Sequence, residues 1–243
     1  MMKGVAVSFS GGVDSTVLLA AAAETLPDDH IAVFVDVPML SERQRTLARK
    51  IAERLSANFI TIVLEWDDLP GVRKNTEDRC YLCKRAIYGA VRDAASDNGC
   101  DICADGENST DRSDERPGRR AAEEFGILSP LKELNIGRGA VRGMLSDLRL
   151  GLDIVKETCM ATRFPAGRAF AESDIRFVEE CENVIRNASG VDQVRMRISS
   201  GGVRILTSPE ETELLRSSEK EVLSALSRIG VNDAVIDGTG YKE

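Results

Sequence analysis

The stretch that most constrains this chain is Ser8-Phe9-Ser10-Gly11-Gly12-Val13-Asp14-Ser15-Thr16. Before it, Gly4 to Phe9 is an apolar, β-branched run that reads as a buried first strand. From Asp14 to Thr25, leucines and alanines read as a helix. Two glycines fill the turn between them. Glycine lets the backbone approach a ligand closely, and a helix start offers unpaired N–H groups at the positive end of its dipole. Ser10, Ser15 and Thr16 add hydroxyl donors. The local chemistry favours a polyphosphate, with Ser8, Ser10, Gly11, Gly12, Asp14, Ser15 and Thr16 as candidate contacts. The plainer reading is a Gly-Gly turn that merely joins strand to helix.

No lysine sits in the turn, so G-x-x-x-x-G-K-[ST] is not met. G-x-G-x-x-G is absent from it as well, which removes the main support for dinucleotide binding. What remains, S-G-G-x-D-S after a first strand, resembles the pyrophosphate loop (PP-loop) of the N-type ATP pyrophosphatases. Those enzymes cleave ATP between the α and β phosphates and attach AMP to a substrate oxygen.

At 243 residues the chain has room for one large domain or for two. Its net charge of -8 argues against a protein built mainly to grip nucleic acid, because that grip comes from Lys and Arg. No leader pattern and no long apolar run occurs, so a cytoplasmic protein with no membrane partner is expected. Six cysteines in a reducing compartment read as metal ligands, reactive thiols or small core residues rather than disulfides. The single histidine, His30, lies after Pro27-Asp28-Asp29 and reads as a surface loop residue, so no histidine-based triad or zinc site is available.

Strand and helix then alternate: a strand from Ile31 to Asp36, a helix from Ser41 to Ser56 capped by Ser41, and a strand from Phe59 to Leu64. A helix to about Asp97 follows, with Asp78 as a candidate cap, then a strand from Asp101 to Ala104 and a fifth from Ile127 to Leu131. Such alternation predicts an α/β fold, a doubly wound parallel sheet with ligands beyond the carboxyl ends of its strands. Asp36 falls at such an end, either as a ligand contact or as a solvated turn carboxylate. Beyond a helix from Gly139 to Leu150 the alternation breaks. Domains of 1–155 and 156–243 are expected, the second a small α+β unit for substrate binding or oligomerisation. Its elements are a helix from Ser173 to Asn187, a hairpin (Gln193 to Ser199, Val203 to Thr207) turned by Ser200-Gly201-Gly202, one helix from Pro209 to Arg228, and a strand from Asp233 to Asp237.

Cys80-x-x-Cys83 opens a helix, and Cys159 sits in a Gly- and Pro-bounded loop. Three soft ligands suit an iron–sulfur cluster with one open iron, or a zinc completed by another group. A redox dithiol and a structural role stay open. Cys100, Cys103 and Cys181 read as core. Arg195 and Arg197 alternate with Val194, Met196 and Ile198, so both point to one face of a strand. They form either a site for phosphate or carboxylate or an ordinary exposed sheet face.

Taken together, the chain resembles the LarE-type ATP-dependent sulfur transferases, which make the nickel-pincer nucleotide cofactor of lactate racemase. The resemblance rests on Ser10 to Ser15, Arg79-Cys80-Tyr81-Leu82-Cys83-Lys84, Asp105-Gly106 with Asn108 and Asp111, Arg116-Pro117-Gly118, Ser129-Pro130-Leu131, Cys159-Met160-Ala161-Thr162-Arg163 with Pro165 and Gly167, and the Arg195/Arg197 strand. It implies ATP with Mg²⁺, a pyridinium biscarboxylate mononucleotide substrate, a sulfide source and a homo-oligomer. It further implies catalytic roles for Cys159, Asp14 and Arg163, substrate-phosphate binding by Arg195 and Arg197, and a [4Fe-4S] cluster on Cys80, Cys83 and Cys159. In some members of the family the cysteine instead donates its own sulfur and ends as dehydroalanine. Two positions depart from the family pattern: Val37 where a serine is usual and Leu206 where a glutamate is frequent.

Three other functions share parts of this pattern. The tRNA thiolases use the same loop, some with three cysteines and a cluster, but the acidic composition and the lack of an added RNA-binding domain count against them. Amide-forming ligases of the superfamily need no thiols. A regulatory module would bind ATP without releasing pyrophosphate.

Overall fold

The computed structural model describes residues 4–111, 117–154, 157–199 and 201–238. The chain divides into two compact units. The first runs up to Val72 and resumes over Glu77–Glu157; the second combines Arg73–Thr76 with the chain from Thr158 onward. Residues 155 and 156, where the sequence suggests a boundary, lie outside the described residues, as do Arg116 and Ser200.

The first unit is α/β. Strands β1 (Val5–Ser8), β2 (His30–Asp36), β3 (Phe59–Val63) and β4 (Ile102–Ala104) form a four-stranded parallel sheet in the order β3-β2-β1-β4. Helix α1 (Val13–Thr25) is apolar nearly all round, which is why it is buried along most of its length. Helix α2 (Glu42–Arg54) is amphipathic and begins where the sequence places its cap, the Ser41 hydroxyl accepting from Gln44 N at 3.1 Å. Helix α3 (Arg79–Asp97) starts at Asp78, whose side chain makes no capping hydrogen bond. Phe9, Phe34, Leu19 and Ile51 form the centre of the core, with Phe59 edge-on to Phe9 at 6.2 Å between ring centroids. Helices α4 (Pro117–Glu124), α5 (Pro130–Glu133) and α6 (Arg138–Asp147) complete the unit.

Two local expectations are overturned here. The fifth strand reduces to one parallel bridge, Ala104 with Leu128. Immediately after it, Ser129 turns its hydroxyl to Asp105 Oδ1 at 2.8 Å and Pro130, which has no N–H to offer a neighbouring strand, opens α5. His30 is not a surface residue. It pairs with Val5 in the sheet, is buried, and its Nδ1 lies 2.7 Å from the Leu26 carbonyl oxygen.

In the second unit, α7 (Glu172–Ser189) ends on Gly190 in the left-handed conformation, φ 76°. Strands β5 (Val194–Ser199) and β6 (Gly202–Thr207) form an antiparallel hairpin, and β7 (Ala234–Ile236) pairs with β6 in parallel. The single helix expected from Pro209 to Arg228 is instead a 3-10 turn followed by α8 (Thr212–Ser217) and α9 (Glu219–Arg228). The break falls at Ser218, which leaves helical geometry with φ -100° and ψ 12°. No helix among the described residues is long and apolar enough to cross a membrane.

Candidate functional site

The sheet order β3-β2-β1-β4 places the chain's first crossover, to β2, on one side of β1 and brings β4 in on the other, so the strand order reverses at β1. The crevice beyond the carboxyl end of such a strand is where α/β sheets take ligands. A cavity of about 570 Å³ opens there, within the first unit. Its floor is the glycine loop, through Ser8, Ser10, Gly12, Asp14 and Ser15.

The loop's polar groups are ordered by one another. Ser10 Oγ lies 3.1 Å from Ser15 Oγ and accepts from Gly12 N at 3.3 Å. Asp14 is held from the loop after β4, Asn108 Nδ2 donating to its Oδ1 at 2.8 Å. Gly106 is required for this closeness: a Cβ there would lie 2.6 Å from Ser15 N. Gly12 has room, its Cβ position meeting Ser10 Oγ at 3.4 Å. Gly11 and Thr16 lie behind the floor. Gly11 has φ +74° and packs on Ala48, and buried Thr16 donates its hydroxyl to the Gly12 carbonyl at 2.9 Å. Thr16 therefore supports the turn and does not offer its hydroxyl to a ligand.

Asp36 is likewise redirected. Its carboxylate accepts from Arg45 Nε at 2.8 and 3.0 Å, and the β2 end of the cavity is formed by Phe34, Val35 and Val37, joined by Leu40 and Gln44. That end is apolar with one amide. The opposite wall comes from α3, where Cys80 and Lys84 stand one turn apart facing the cavity, with Tyr88 one turn further.

Lys84 supplies the cation that the loop itself lacks. Its ammonium lies 4.8 Å from the centroid of the Tyr88 ring. Tyr88 and Asp105 hold it above the usual lysine range, against the opposing cost of burial. Burial in turn pushes the Tyr88 phenol up to about 12. The phenol donates to Asp105 Oδ2 at 2.6 Å, and Asp105 Oδ1 accepts from Ser129 Oγ at 2.8 Å and Glu107 N at 3.1 Å. Tyr88 and Arg45 are functional candidates that the sequence did not single out, and Lys84 and Asn108 entered it only as members of the resembling motifs, with no role assigned.

Among the described residues no disulfide forms. Cys80 is exposed and Cys83 half-buried, both near the start of α3; Cys159 is half-buried in the second unit. Cys80 and Cys83, one turn apart, are by their chemistry soft-metal ligands, as is Cys159; no group of three metal-ligating side chains gathers among the described residues. Cys103 and Cys181 are buried, as core residues should be, while Cys100 is only partly so.

In the second unit Cys159 precedes a 3-10 turn, Met160–Arg163. Arg163 is 1% exposed, so its guanidinium is a structural grip and not a group that meets substrate. It donates to Glu182 Oε1 at 2.7 Å and to Thr158 Oγ1 at 2.6 Å. The chain beyond this turn rests on Asn75, a buried left-handed residue whose Nδ2 donates to the Pro165 carbonyl at 2.8 Å. Arg195 and Arg197 share a strand but not an environment. Arg195 is buried, whereas Arg197 is exposed and stands opposite Arg204, itself paired with Asp237.

No family model matches the chain. It is 31% identical over 206 residues to the pyridinium-3,5-bisthiocarboxylic acid mononucleotide synthase of Lactiplantibacillus plantarum, covering 84% of this chain and 74% of that protein. An uncharacterized protein of Methanocaldococcus jannaschii is 32% identical over 79% of this chain and 74% of its own length. One from Synechocystis is 30% identical over 97% of this chain and 89% of its own. Identity at this level over most of both chains means that the protein belongs to the family of the pyridinium-3,5-bisthiocarboxylic acid mononucleotide synthase.

Proposed function

We propose that the chain is an AMP-forming, ATP-dependent sulfurtransferase that converts a carboxylate of a pyridinium mononucleotide into a thiocarboxylate. The observation that carries this reading is the cavity floored by the glycine loop and walled by Lys84 and Cys80, in a member of this family. In the first step a substrate carboxylate oxygen attacks the α phosphorus of ATP and the bond to pyrophosphate breaks. In the second, a sulfur nucleophile attacks the acyl carbon and AMP leaves with the carboxylate oxygen.

The chain's residues divide this work. Backbone N–H groups at the start of α1, with the Ser10 and Ser15 hydroxyls, bind phosphate. Asp14, oriented by Asn108, steers Mg²⁺. Lys84 neutralises charge that develops on the phosphates, where a fixed cation in a partly desolvated cavity acts most strongly. The apolar β2 end, with Gln44, suits a purine base. Arg197 binds the phosphate of the mononucleotide, Arg195 supporting the strand from its buried position. Cys159 serves the transfer step as a ligand, its sulfur held and not itself transferred. Cys80, Cys83 and Cys159 would hold a [4Fe-4S] cluster, which when bound supplies a transferable sulfide at its open iron.

The test is incubation with ATP, Mg²⁺, the pyridinium biscarboxylate mononucleotide and sulfide. The expected result is equal release of AMP and pyrophosphate, with a product in which one oxygen is replaced by sulfur. Release of ADP, or AMP release that ignores the mononucleotide, overturns the reading.

A further inference from the structure

One carboxylate in the second unit receives hydrogen bonds from three different elements. Glu182, on α7, is 2% exposed. Its Oε1 accepts from Arg163 Nε at 2.7 Å and from the backbone N of Met196 at 2.9 Å. Its Oε2 accepts from Arg163 Nη2 at 3.2 Å and from Arg186 Nη2 at 3.5 Å. Met196 is the residue between Arg195 and Arg197 on β5.

The other end of Arg163 grips both sides of Cys159. Its Nη1 donates to Thr158 Oγ1 at 2.6 Å and to Thr162 Oγ1 at 3.1 Å. Thr162 in turn donates its hydroxyl to the Cys159 carbonyl at 2.8 Å. A continuous chain of hydrogen bonds therefore runs from the backbone of Cys159 through Thr162, Arg163 and Glu182 to the backbone of the arginine strand.

Taking two charges out of water is a poor route to stability, because well-packed apolar side chains of similar size serve as well. Apolar replacements could not accept the Met196 N–H or hold two threonines in one geometry. We infer that Arg163 and Glu182 are positioning residues, a buried clasp that fixes the Cys159 thiol relative to Arg197. This rests on the function proposed above for the roles of Cys159 and Arg197, but the geometry does not depend on it.

The experiment compares wild type with Arg163→Met/Glu182→Leu, an apolar pair of similar volume, and with Glu182→Gln, which keeps one acceptor oxygen. Three quantities are measured: thermal unfolding, the iodoacetamide alkylation rate of each cysteine in the metal-depleted protein by peptide mass spectrometry, and kcat and KM for each substrate. In whichever variants fold, the Cys159 alkylation rate is expected to shift severalfold while that of Cys80 stays at the wild-type value. Turnover of the mononucleotide is expected to fall by about a hundredfold with KM for ATP unchanged, the penalty of a misplacement near 1 Å. A folded variant with wild-type Cys159 alkylation and wild-type turnover overturns the clasp. If wild type transfers no sulfur, the proposed function fails, and the alkylation rates still decide the clasp.

Discussion

Asn108 donates its side-chain amide to Asp14 Oδ1 at 2.8 Å, so the loop after β4 aims the carboxylate that begins α1. The Asn108 carbonyl is committed as well, accepting from Thr110 N at 2.9 Å, so the amide cannot swing away. Asp14→Ala should abolish AMP formation while the fold is retained. Asn108→Ala removes a hydrogen bond to a charged group, worth about 1.5–3 kcal/mol, and should slow AMP formation roughly ten- to a hundredfold. Wild-type AMP release by Asp14→Ala would contradict the role given to this carboxylate.

Two of the cavity glycines, Gly12 and Gly106, should fail in different ways. A side chain at Gly12 projects toward the cavity and meets little protein, so Gly12→Val should unfold at the wild-type temperature yet bind no ATP. Gly106→Ala must push its Cβ, at 2.6 Å, off the backbone of Ser15, and should lose stability and ATP binding together. Calorimetry of ATP binding beside thermal unfolding separates the two. Unchanged ATP affinity in Gly12→Val would mean that the phosphates do not cross this glycine.

Lys84 and Tyr88 make a prediction about alkaline pH. Both pKa values are raised on folding, Tyr88 from 10.0 to about 12. In the unfolded chain these groups therefore lose their protons first. Above pH about 10 the folded state binds more protons than the unfolded state, so stability falls as pH rises through the window up to 12. Below pH 10 the pair contributes fully. Tyr88→Phe should flatten the decline between pH 10 and 12, and an unaltered slope would show that the phenol is not held this way. Lys84→Met should raise KM for ATP by more than tenfold, with partial rescue in Lys84→Arg.

What could be read from sequence was whatever a short window encodes. The glycine loop, the first three strands and the Ser41 cap follow from local composition and spacing. The pairs that organise the sites do not. Asn108 and Asp14 are 94 positions apart, and Arg163 and Glu182 are 19 apart on different elements. Alternation along β5 correctly assigns Arg195 and Arg197 to one face but carries no information on what covers that face, and only Arg197 is exposed. Asp36 looks like a ligand carboxylate until Arg45, one helix later, claims it.

Thiol reactivity should separate the cysteines by their surroundings. Burial pushes the Cys181 thiol up to about 11, and burial also raises Cys100 and Cys103. The thiolate is the nucleophile, so these three should resist alkylation at pH 8, while exposed Cys80 labels first. Peptide mass spectrometry after brief iodoacetamide treatment of the metal-depleted protein gives the order directly. Labelling of Cys181 ahead of Cys80 would contradict the packing of α7.

The source of the transferred sulfur can be decided by mass, and the argument turns on the number of thiols. A protein that sacrifices its own cysteine needs one thiol beside the acyl-adenylate. Cys80 and Cys83 would then have no part in transfer, and Cys159 would end as dehydroalanine once per chain. A protein that uses all three as ligands survives turnover, because the sulfur that leaves was never part of the polypeptide. With sulfide and iron supplied anaerobically, the chain mass should be unchanged after many turnovers, and Cys80→Ser should stop transfer although Cys159 is intact. Loss of the elements of hydrogen sulfide from Cys159, together with continued transfer by Cys80→Ser, would establish the sacrificial route. Because Cys80 also lines the cavity proposed to take ATP, the variant should be checked for ATP binding. Retained ATP affinity with lost transfer assigns the defect to sulfur delivery and not to adenylation.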